Sequence, residues 1–379
     1  MAAPSGPVDK RAPVIEPRGA QIVPGKYIVK LKAGVSDTAL TAAMGNLKTK
    51  AEHVYKTSFK GFAGAIDDAT LDILRGLDAV EYIEKEGVFT TQAYVSQTGA
   101  PWGLGRISHR ARGSTTYQYD NSAGAGVCAY VIDTGILTTH TQFGGRATWL
   151  ANYAGDGSNT DGNGHGTHVA GILAGSTYGV AKSASLFAVK VLDASGSGST
   201  SGVIAGINFV TSDVATRNCP NGTVANLSLG GGFSATTNTA ARNLVSAGTF
   251  LAVAAGNSNV DASSTSPASE ATVCTVGATT SLDARASYSN YGSVVDIFAP
   301  GTNVLSSWNG GNSATNTISG TSMASPHIAG LGAYLLTLLG RRTPAALCSY
   351  IQSTSLTGLL TGVPSGTSNR LAFNGNPSG

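Results

Sequence analysis

The residues of this sequence best suited to chemistry are an aspartate, a histidine and a serine: Asp133, His165 and Ser322. A serine hydroxyl becomes a nucleophile at neutral pH only when a base takes its proton. A histidine that serves as this base needs a carboxylate, which fixes its tautomer and stabilises its protonated form. Glycines lie close to all three residues in the sequence, so backbone and substrate can approach them closely. If the fold brings the three together, they predict nucleophilic catalysis by the serine.

Ser322 stands just ahead of a long apolar run, residues 328–339, which predicts a buried helix. The first N–H groups of a helix have no partner within the helix, and the helix dipole is positive at that end. Negative charge that develops beside Ser322 would therefore meet both a hydrogen bond and a favourable field.

Each of these residues also has an ordinary structural explanation. A serine before an apolar run is often the cap of a core helix. An aspartate after a strand is usually a cap or a turn former, and a lone histidine beside a helix is more often a satisfied structural residue. A fourth polar residue, Asn257, follows an apolar strand and could equally be a turn residue. Only the combination of residue types, in the chain order Asp, His, Ser, favours catalysis.

The elements that must position these residues alternate along the second part of the chain. Strands are predicted at 129–132, 186–192, 224–229 and 249–254, and helices at 165–175, 201–215, 237–247 and 321–339. Continuous rather than alternating hydrophobicity predicts strands that are covered on both faces. We therefore predict an α/β fold with a doubly wound, mainly parallel sheet. Ligands of such sheets bind beyond the carboxyl ends of the strands, which is where Asp133 and Asn257 are expected.

Composition divides the chain near residue 92. Residues 1–92 hold 23 charged residues, while residues 93–379 hold only 22. Residues 1–24 carry five of the 13 prolines and predict a flexible tail. Residues 25–92 alternate as β-α-β-β-α-β and predict a small ferredoxin-like α+β module. Residues 93–379 form the predicted α/β domain.

Composition also argues against several classes of function. The net charge is +3 without a basic stripe, which gives no reason to expect nucleic acid or an anionic membrane as a partner. No apolar run is expected to be long enough to span a bilayer. The N-terminal segment lacks the apolar core of a signal peptide, so we expect that a signal has been removed and a start methionine added.

The cysteines Cys128, Cys219, Cys274 and Cys348 are widely spaced, which disfavours zinc and redox motifs. They fit two disulfides, with three possible pairings, or four buried thiols.

Three blocks of sequence resemble the signature blocks of subtilisin-like serine proteases: Val-Ile-Asp-Thr-Gly at 131–135, His-Gly-Thr-His-Val-Ala-Gly at 165–171 and Gly-Thr-Ser-Met-Ala at 320–324. Their order is also that of subtilisin. Residues 100–104, 227–232 and 296–301 resemble the proteinase K branch, found as secreted fungal proteases that include cuticle-degrading enzymes. The resemblance covers nearly all of residues 93–379. It implies a secreted, monomeric endopeptidase that cuts proteins and peptides with broad specificity.

The resemblance also implies roles for individual residues. Ser322 would be the nucleophile, His165 the general base and then acid, and Asp133 the carboxylate that orients the histidine. The side-chain amide of Asn257 would join the Ser322 N–H in an oxyanion hole. Peptide substrates would lie as an added strand between two edge segments and place an apolar or aromatic side chain in a pocket. These binding residues are Gly196, Ser197, Gly198, Ser228, Leu229 and Gly230 in the edge segments, with Ala254 and Gly256 in the pocket.

Disulfides and a metal site follow from the same resemblance. The implied pairs are Cys128–Cys219 and Cys274–Cys348. No cofactor is expected for catalysis. One structural calcium site is implied at the Asp296 carboxylate with the carbonyl oxygens of Ala271 and Val273, because a hard cation prefers oxygen ligands. A second family calcium site is expected to be absent, since Arg110 stands where a ligand would be.

The first module resembles the inhibitor propeptide of these proteases, which aids folding and inhibits the enzyme within the same chain. The implied cleavage lies between Gln92 and Ala93, made by the enzyme itself. Two other hypotheses compete with a protease. An esterase of the α/β-hydrolase type is disfavoured because no G-x-S-x-G occurs and the order of the triad differs. A non-catalytic module that kept the fold is disfavoured because no triad residue is substituted.

Overall fold

The computed structural model describes residues 11–17, 22–88 and 94–379. The chain divides into two compact units, Met1–Thr91 and Gln92–Gly379. The implied cleavage pair, Gln92 and Ala93, lies outside the described residues.

The first unit is a five-stranded sheet with two helices. The strands, in the spatial order β1-β5-β2-β4-β3, are β1 (Val14–Ile15), β2 (Ile22–Leu31), β3 (His53–Tyr55), β4 (Gly61–Ala65) and β5 (Val80–Gly87). The helices are α1 (Asp37–Met44) and α2 (Asp68–Arg75), capped by the side chains of Ser36 and Asp67. Buried Val29, Phe62 and Ile83 from the sheet meet Leu40 and Leu74 from the helices. From β2 onward the order is the predicted β-α-β-β-α-β.

The prediction of a flexible tail through residue 24 is wrong where the chain is described. Val14 and Ile15 pair in parallel with Ile83 and Glu84 of β5, and β2 already begins at Ile22. Ala12 is buried and its N–H donates to the Arg75 carbonyl oxygen. Two β-branched residues can add to an open sheet edge, a long-range pairing that proline content does not reveal.

The second unit is built on a nine-stranded sheet with the order β19-β20-β16-β15-β13-β11-β8-β10-β9. All neighbouring pairs are parallel except β19 with β20. The strands of this sheet are β8 (Cys128–Asp133), β9 (Ala147–Asn152), β10 (Ser185–Lys190), β11 (Thr223–Leu227), β13 (Phe250–Ala254), β15 (Cys274–Thr279), β16 (Ile297–Pro300), β19 (Leu356–Thr357) and β20 (Arg370–Leu371). Three small antiparallel pairs flank it: β6 (Tyr94–Gln97) with β7 (Tyr117–Asp120), β12 (Gly231–Gly232) with β14 (Thr265–Ser266), and β17 (Val304–Ser307) with β18 (Thr315–Ile318).

Helices cover both faces of this sheet. They are α3 (Trp102–Ser108), α4 (His165–Ala174), α5 (Thr200–Asp213), α6 (Ala235–Ser246), α7 (Thr321–Leu339) and α8 (Pro344–Thr354). Along β8, Ala129 and Val131 belong to the hydrophobic cluster that includes α4 and α7, whereas Tyr130 and Ile132 belong to the cluster that includes α5 and α6. This division explains the continuous hydrophobicity of the strand. The predicted doubly wound α/β fold is confirmed.

One helix is apolar over a longer stretch than the sequence analysis allowed for. α7 has 19 residues and, by length and composition alone, could cross a membrane, so the expectation that no run reaches that length is wrong. However, 78% of its apolar window is buried inside the protein. The apolar character of α7 is therefore accounted for by its place in the core.

All four cysteines are paired, as the resemblance implies. Cys128 bonds to Cys219 with Cα atoms 5.6 Å apart, and Cys274 bonds to Cys348 with Cα atoms 6.0 Å apart. Because the pairs close loops of 91 and 74 residues, each is expected to stabilise the fold by about 4 kcal/mol in the chain-entropy model.

Candidate active site

Asp133 and His165 are in direct contact at the carboxyl edge of the large sheet. Asp133 ends β8 and is fully buried, and His165 begins α4 with 24% of its side chain exposed. His165 Nδ1 lies 2.7 Å from Asp133 Oδ1. A carboxylate at this distance keeps the proton on Nδ1, so Nε2 is left as the free acceptor. The pair thus has the arrangement of a general base and its orienting carboxylate.

The surroundings of His165 strengthen it as a base. Burial disfavours the charged ring, but the charge and hydrogen bond of Asp133, together with the charge of Asp161, raise the pKa of His165 above its ordinary value. The imidazolium that forms when the ring takes a proton is therefore stabilised inside the site.

Ser322 is the second residue of α7 and is tied to the end of β11. Its hydroxyl donates to the Ser228 carbonyl oxygen at 3.1 Å, and the Ser228 hydroxyl donates to the Ser322 carbonyl oxygen at 2.7 Å. Ser228 and His165 both line a cavity of about 480 Å³. Ser322 lines an adjoining cavity of about 360 Å³ that shares residues 229–232 with the first. Within the part of the chain that the structure describes, no hydrogen bond joins Ser322 to His165.

The Asn257 side chain contacts the start of α7. Asn257 Oδ1 accepts from both the N–H and the hydroxyl of Thr321, each at 2.8 Å. Because a backbone N–H can only donate, this contact identifies the amide oxygen and leaves Nδ2 facing elsewhere. Nδ2 of Asn257 and the Ser322 nitrogen lie 3.5 and 3.6 Å from where a Cβ would stand on Gly320. Both donor nitrogens therefore lie near Gly320, two residues before Ser322 in the chain.

The residues that the resemblance assigns to substrate binding line these two cavities. The larger one is lined by Gly196, Ser197, Gly198, Ser228, Leu229 and Gly230, and the smaller one by Ala254 and Gly256. Gly256 has φ +102°, and a Cβ there would overlap the Asn290 side-chain amide. Only glycine fits this wall without a shift of its neighbours.

The implied metal site is centred on the partly buried carboxylate of Asp296. Burial raises the pKa of Asp296 to about 6. Its two oxygens accept from the Thr275 N–H and from Gln352 Nε2, both at 2.8 Å, and each retains a lone pair. Among the described residues no ion pair involves Asp296. A partly buried carboxylate with free lone pairs offers the oxygen ligands that a hard cation prefers.

The Cys274–Cys348 disulfide and Arg110 both affect which ligands the predicted metal sites can offer. The sulfur atoms of Cys274 and Cys348 lie near the Asp296 carboxylate, but their disulfide removes both as thiolate ligands. Arg110, which the resemblance places at the second family calcium site, has its guanidinium over the Phe373 ring at 5.1 Å.

Sequence reasoning missed the role of Asp161, which lies four residues before His165. Asp161 is buried and accepts from the Thr134 hydroxyl at 2.8 Å. A signal was present, because an aspartate in the glycine-rich turn four residues before His165 is typical of a side chain that binds backbone N–H groups.

An aspartate–histidine pair at the carboxyl edge of a doubly wound sheet, with a serine at a helix N-terminus, is typical of serine hydrolases. The model of the subtilase family matches residues 124–375, and the model of peptidase inhibitor I9 matches residues 26–92. A subtilisin-like serine protease of Sarocladium strictum is 59% identical over 372 residues, which cover 98% of this chain and 95% of the relative. A cuticle-degrading protease of Metarhizium anisopliae is 56% identical over 377 residues, covering 99% and 96%. The crystal structure of a cold-adapted subtilisin-like serine proteinase matches with a TM-score of 0.69 at 44% identity, covering 73% of this chain and 99% of that one.

The chain belongs to the subtilase family. It is a serine protease that carries an inhibitor I9 propeptide domain, the organisation of a zymogen. Family membership favours the protease over the esterase and the non-catalytic module. Subtilases need no cofactor for catalysis.

Proposed function

We propose that the protein is a secreted endopeptidase in which Ser322 attacks the peptide carbonyl, His165 takes and later returns the proton, and Asp133 holds the histidine. The 2.7 Å contact between His165 Nδ1 and the buried Asp133 carboxylate carries this proposal. Secretion is supported by the two disulfides, which persist in oxidising compartments. The enzyme is proposed to act as a monomer without nucleic-acid or membrane partners.

The chemistry begins when the Ser322 hydroxyl turns from the Ser228 carbonyl oxygen to His165 Nε2. As Ser322 Oγ bonds to the substrate carbonyl carbon, its proton passes to Nε2, and the imidazolium is stabilised by Asp133. Collapse of the tetrahedral intermediate transfers that proton to the leaving amine. Water then hydrolyses the acyl-enzyme, with the same ring as base.

The negative oxygen of the intermediate is bound by Asn257 Nδ2 and the Ser322 N–H. Both donors are fixed before substrate arrives, since Asn257 Oδ1 is held by Thr321. Donors that are already oriented need no reorganisation during the reaction, and each contributes about 3 kcal/mol in such sites.

Substrate specificity follows from the two edge segments and the pocket. A peptide strand between residues 196–198 and 228–230 would be bound mainly through its backbone, which implies broad sequence tolerance. The small wall of Ala254 and Gly256 leaves room for an apolar or aromatic side chain before the cut.

The propeptide is proposed to inhibit the enzyme until the enzyme cuts its own chain between Gln92 and Ala93. A Ser322→Ala variant should therefore remain uncut, as shown by N-terminal sequencing.

A calcium ion is proposed at Asp296 with the carbonyl oxygens of Ala271 and Val273, where it would offset the charge of the partly buried carboxylate. Calcium should raise the Tm of the Ser322→Ala protein but not that of the Ser322→Ala/Asp296→Asn protein.

The catalytic assignment is tested with chromogenic peptides that carry either phenylalanine or lysine before the scissile bond. Processed wild-type enzyme should cut the phenylalanine peptide faster. Asp133→Asn should lower kcat by about 10⁴-fold with little change in KM, because the wrong histidine tautomer is favoured. Wild-type kcat in Asp133→Asn would contradict the assignment.

A further inference from the structure

A buried aspartate that the mechanism above does not use lies in the turn before the catalytic histidine. Asp161 is 4% exposed. Its Oδ1 accepts from the Thr134 hydroxyl at 2.8 Å and from the N–H groups of Asn163 and Gly164 at 3.1 and 2.8 Å. Its Oδ2 accepts from the N–H and the hydroxyl of Thr167, at 2.9 and 2.6 Å. Five donors on one buried carboxylate make this turn a single rigid unit.

The donors come from both sides of the catalytic pair. Thr134 directly follows Asp133 at the end of β8. Gly164 and Thr167 stand on either side of His165, at the start of α4. One carboxylate therefore ties the strand that carries the catalytic aspartate to the helix that carries the catalytic histidine.

A second contact crosses the same junction. The Thr134 hydroxyl accepts from the Gly166 N–H at 2.9 Å while it donates to Asp161. A Cβ on Gly166 would overlap the Gly135 carbonyl oxygen, so the two backbones are in direct contact. Thr134 thus links Asp161 to the first turn of α4, and its position depends on the Asp161 carboxylate.

We propose that Asp161 is a positioning residue of the protease, which fixes Asp133 relative to His165 through Thr134 and supplies a second negative charge to the histidine. The inference rests on the proposed roles of Asp133 and His165. Its positioning part concerns the hydrogen bond to Thr134, and its electrostatic part concerns the carboxylate charge. The two parts can be separated by substitution, because Thr134 can be changed without removing the charge.

Other charged or titratable groups near His165 bear on whether a change in its pKa can be attributed to Asp161; they include Asp133, His168 and Lys190. Asp133 faces it from β8 and Asp161 from the turn, and both raise its pKa against the effect of burial. His168 on α4 has its pKa lowered to about 4 by burial, so it is neutral in the working range. Lys190 on β10 is fully buried opposite Asp133 in the sheet register. Replacing Asp161 changes none of these other charges.

The experiment compares four variants of the self-processed enzyme on one chromogenic peptide across pH. Asp161→Asn removes the charge, and Thr134→Val removes the link but keeps the charge. Thr134→Ser restores the hydroxyl. Asp213→Asn is the matched control, because that carboxylate is hydrogen-bonded to Tyr130 and Arg217 instead. The acid limb of kcat/KM reports the pKa of the base in the free enzyme.

Asp161→Asn should move the acid limb to lower pH and reduce kcat about 10- to 100-fold, since a small misplacement of catalytic groups has effects of this size. Thr134→Val should reduce kcat with the acid limb and KM unchanged, and Thr134→Ser and Asp213→Asn should match wild type. An unmoved acid limb in Asp161→Asn overturns the electrostatic part, and wild-type kcat in Thr134→Val overturns the positioning part. If Asp161→Asn does not self-process, the kcat values of Thr134→Val and Thr134→Ser are compared instead. Equal kcat values in these two variants overturn the proposal. Failure of the proposed function would appear separately, as wild-type kcat in Asp133→Asn.

Discussion

Replacing Asn257 with alanine should reduce kcat by about 10²- to 10³-fold with KM nearly unchanged. The substitution removes Nδ2, one of two donors beside Ser322, and such a donor contributes about 3 to 4 kcal/mol to the transition state only. It also removes Oδ1, which holds the N–H and the hydroxyl of Thr321 at the start of α7. Two neutral hydrogen bonds of this kind contribute about 1 kcal/mol each to stability. The variant should therefore be slower and also modestly less stable.

Thr321→Val separates these two effects. It removes the hydroxyl that donates to Asn257 and accepts from the Gly256 N–H, but it leaves Nδ2 in place. We expect a similar loss of stability with at most a few-fold loss of kcat. Steady-state kinetics on a chromogenic peptide and urea unfolding of Ser322→Ala versions measure the two quantities. A kcat in Asn257→Ala equal to that of Thr321→Val would refute the role of Asn257 in binding the oxyanion.

Three further predictions concern the rest of the catalytic unit. Gly256→Ala should abolish most activity, because the φ of +102° and the overlap of a Cβ with the Asn290 side-chain amide both disfavour a side chain there. Gly310→Ala is the control: a Cβ there would make only ordinary contacts, so its kinetics should match wild type. Burial lowers the pKa of His327 to about 4, below its unfolded value of about 6.5, so its stabilising neutral form is lost as the pH falls from 6.5 to 4. His327 should contribute about 3 kcal/mol to the drop in the unfolding free energy of the Ser322→Ala protein over this range. The drop should therefore be smaller in a Ser322→Ala/His327→Gln protein, and an equal dependence on pH in urea titrations would contradict this. Removing Cys128–Cys219, which closes a 91-residue loop, should lower stability by about 4 to 5 kcal/mol, measured by calorimetry; an unchanged Tm would count against it.

The helices and strands that depend on local hydrophobic patterns were predicted well from the sequence. The strand that leads to Asp133 and the helix that begins at His165 follow from hydrophobic runs beside glycine-rich turns, although β8 includes Asp133 itself. The doubly wound sheet follows from strands with no polar face.

Long-range pairings were harder to predict from residue types. The pairing of Val14 with Ile83 joins residues far apart in the chain, and no local pattern predicts which sheet edge is open. Asp161 was overlooked because its hydrogen-bond partner Thr134 lies 27 residues earlier. The bond between the Ser322 hydroxyl and the Ser228 carbonyl oxygen depends on a side-chain rotamer, which sequence reasoning does not supply.

The central claim is that His165, held by Asp133, activates Ser322. The most direct measurement is the rate and the site of labelling by a serine-directed fluorophosphonate, followed by mass spectrometry of processed wild-type enzyme and of folded His165→Ala protein. We predict a single adduct on Ser322 in the wild type and a rate at least about 10³-fold lower in His165→Ala. An adduct on another residue, or equal rates in the two proteins, would contradict the account.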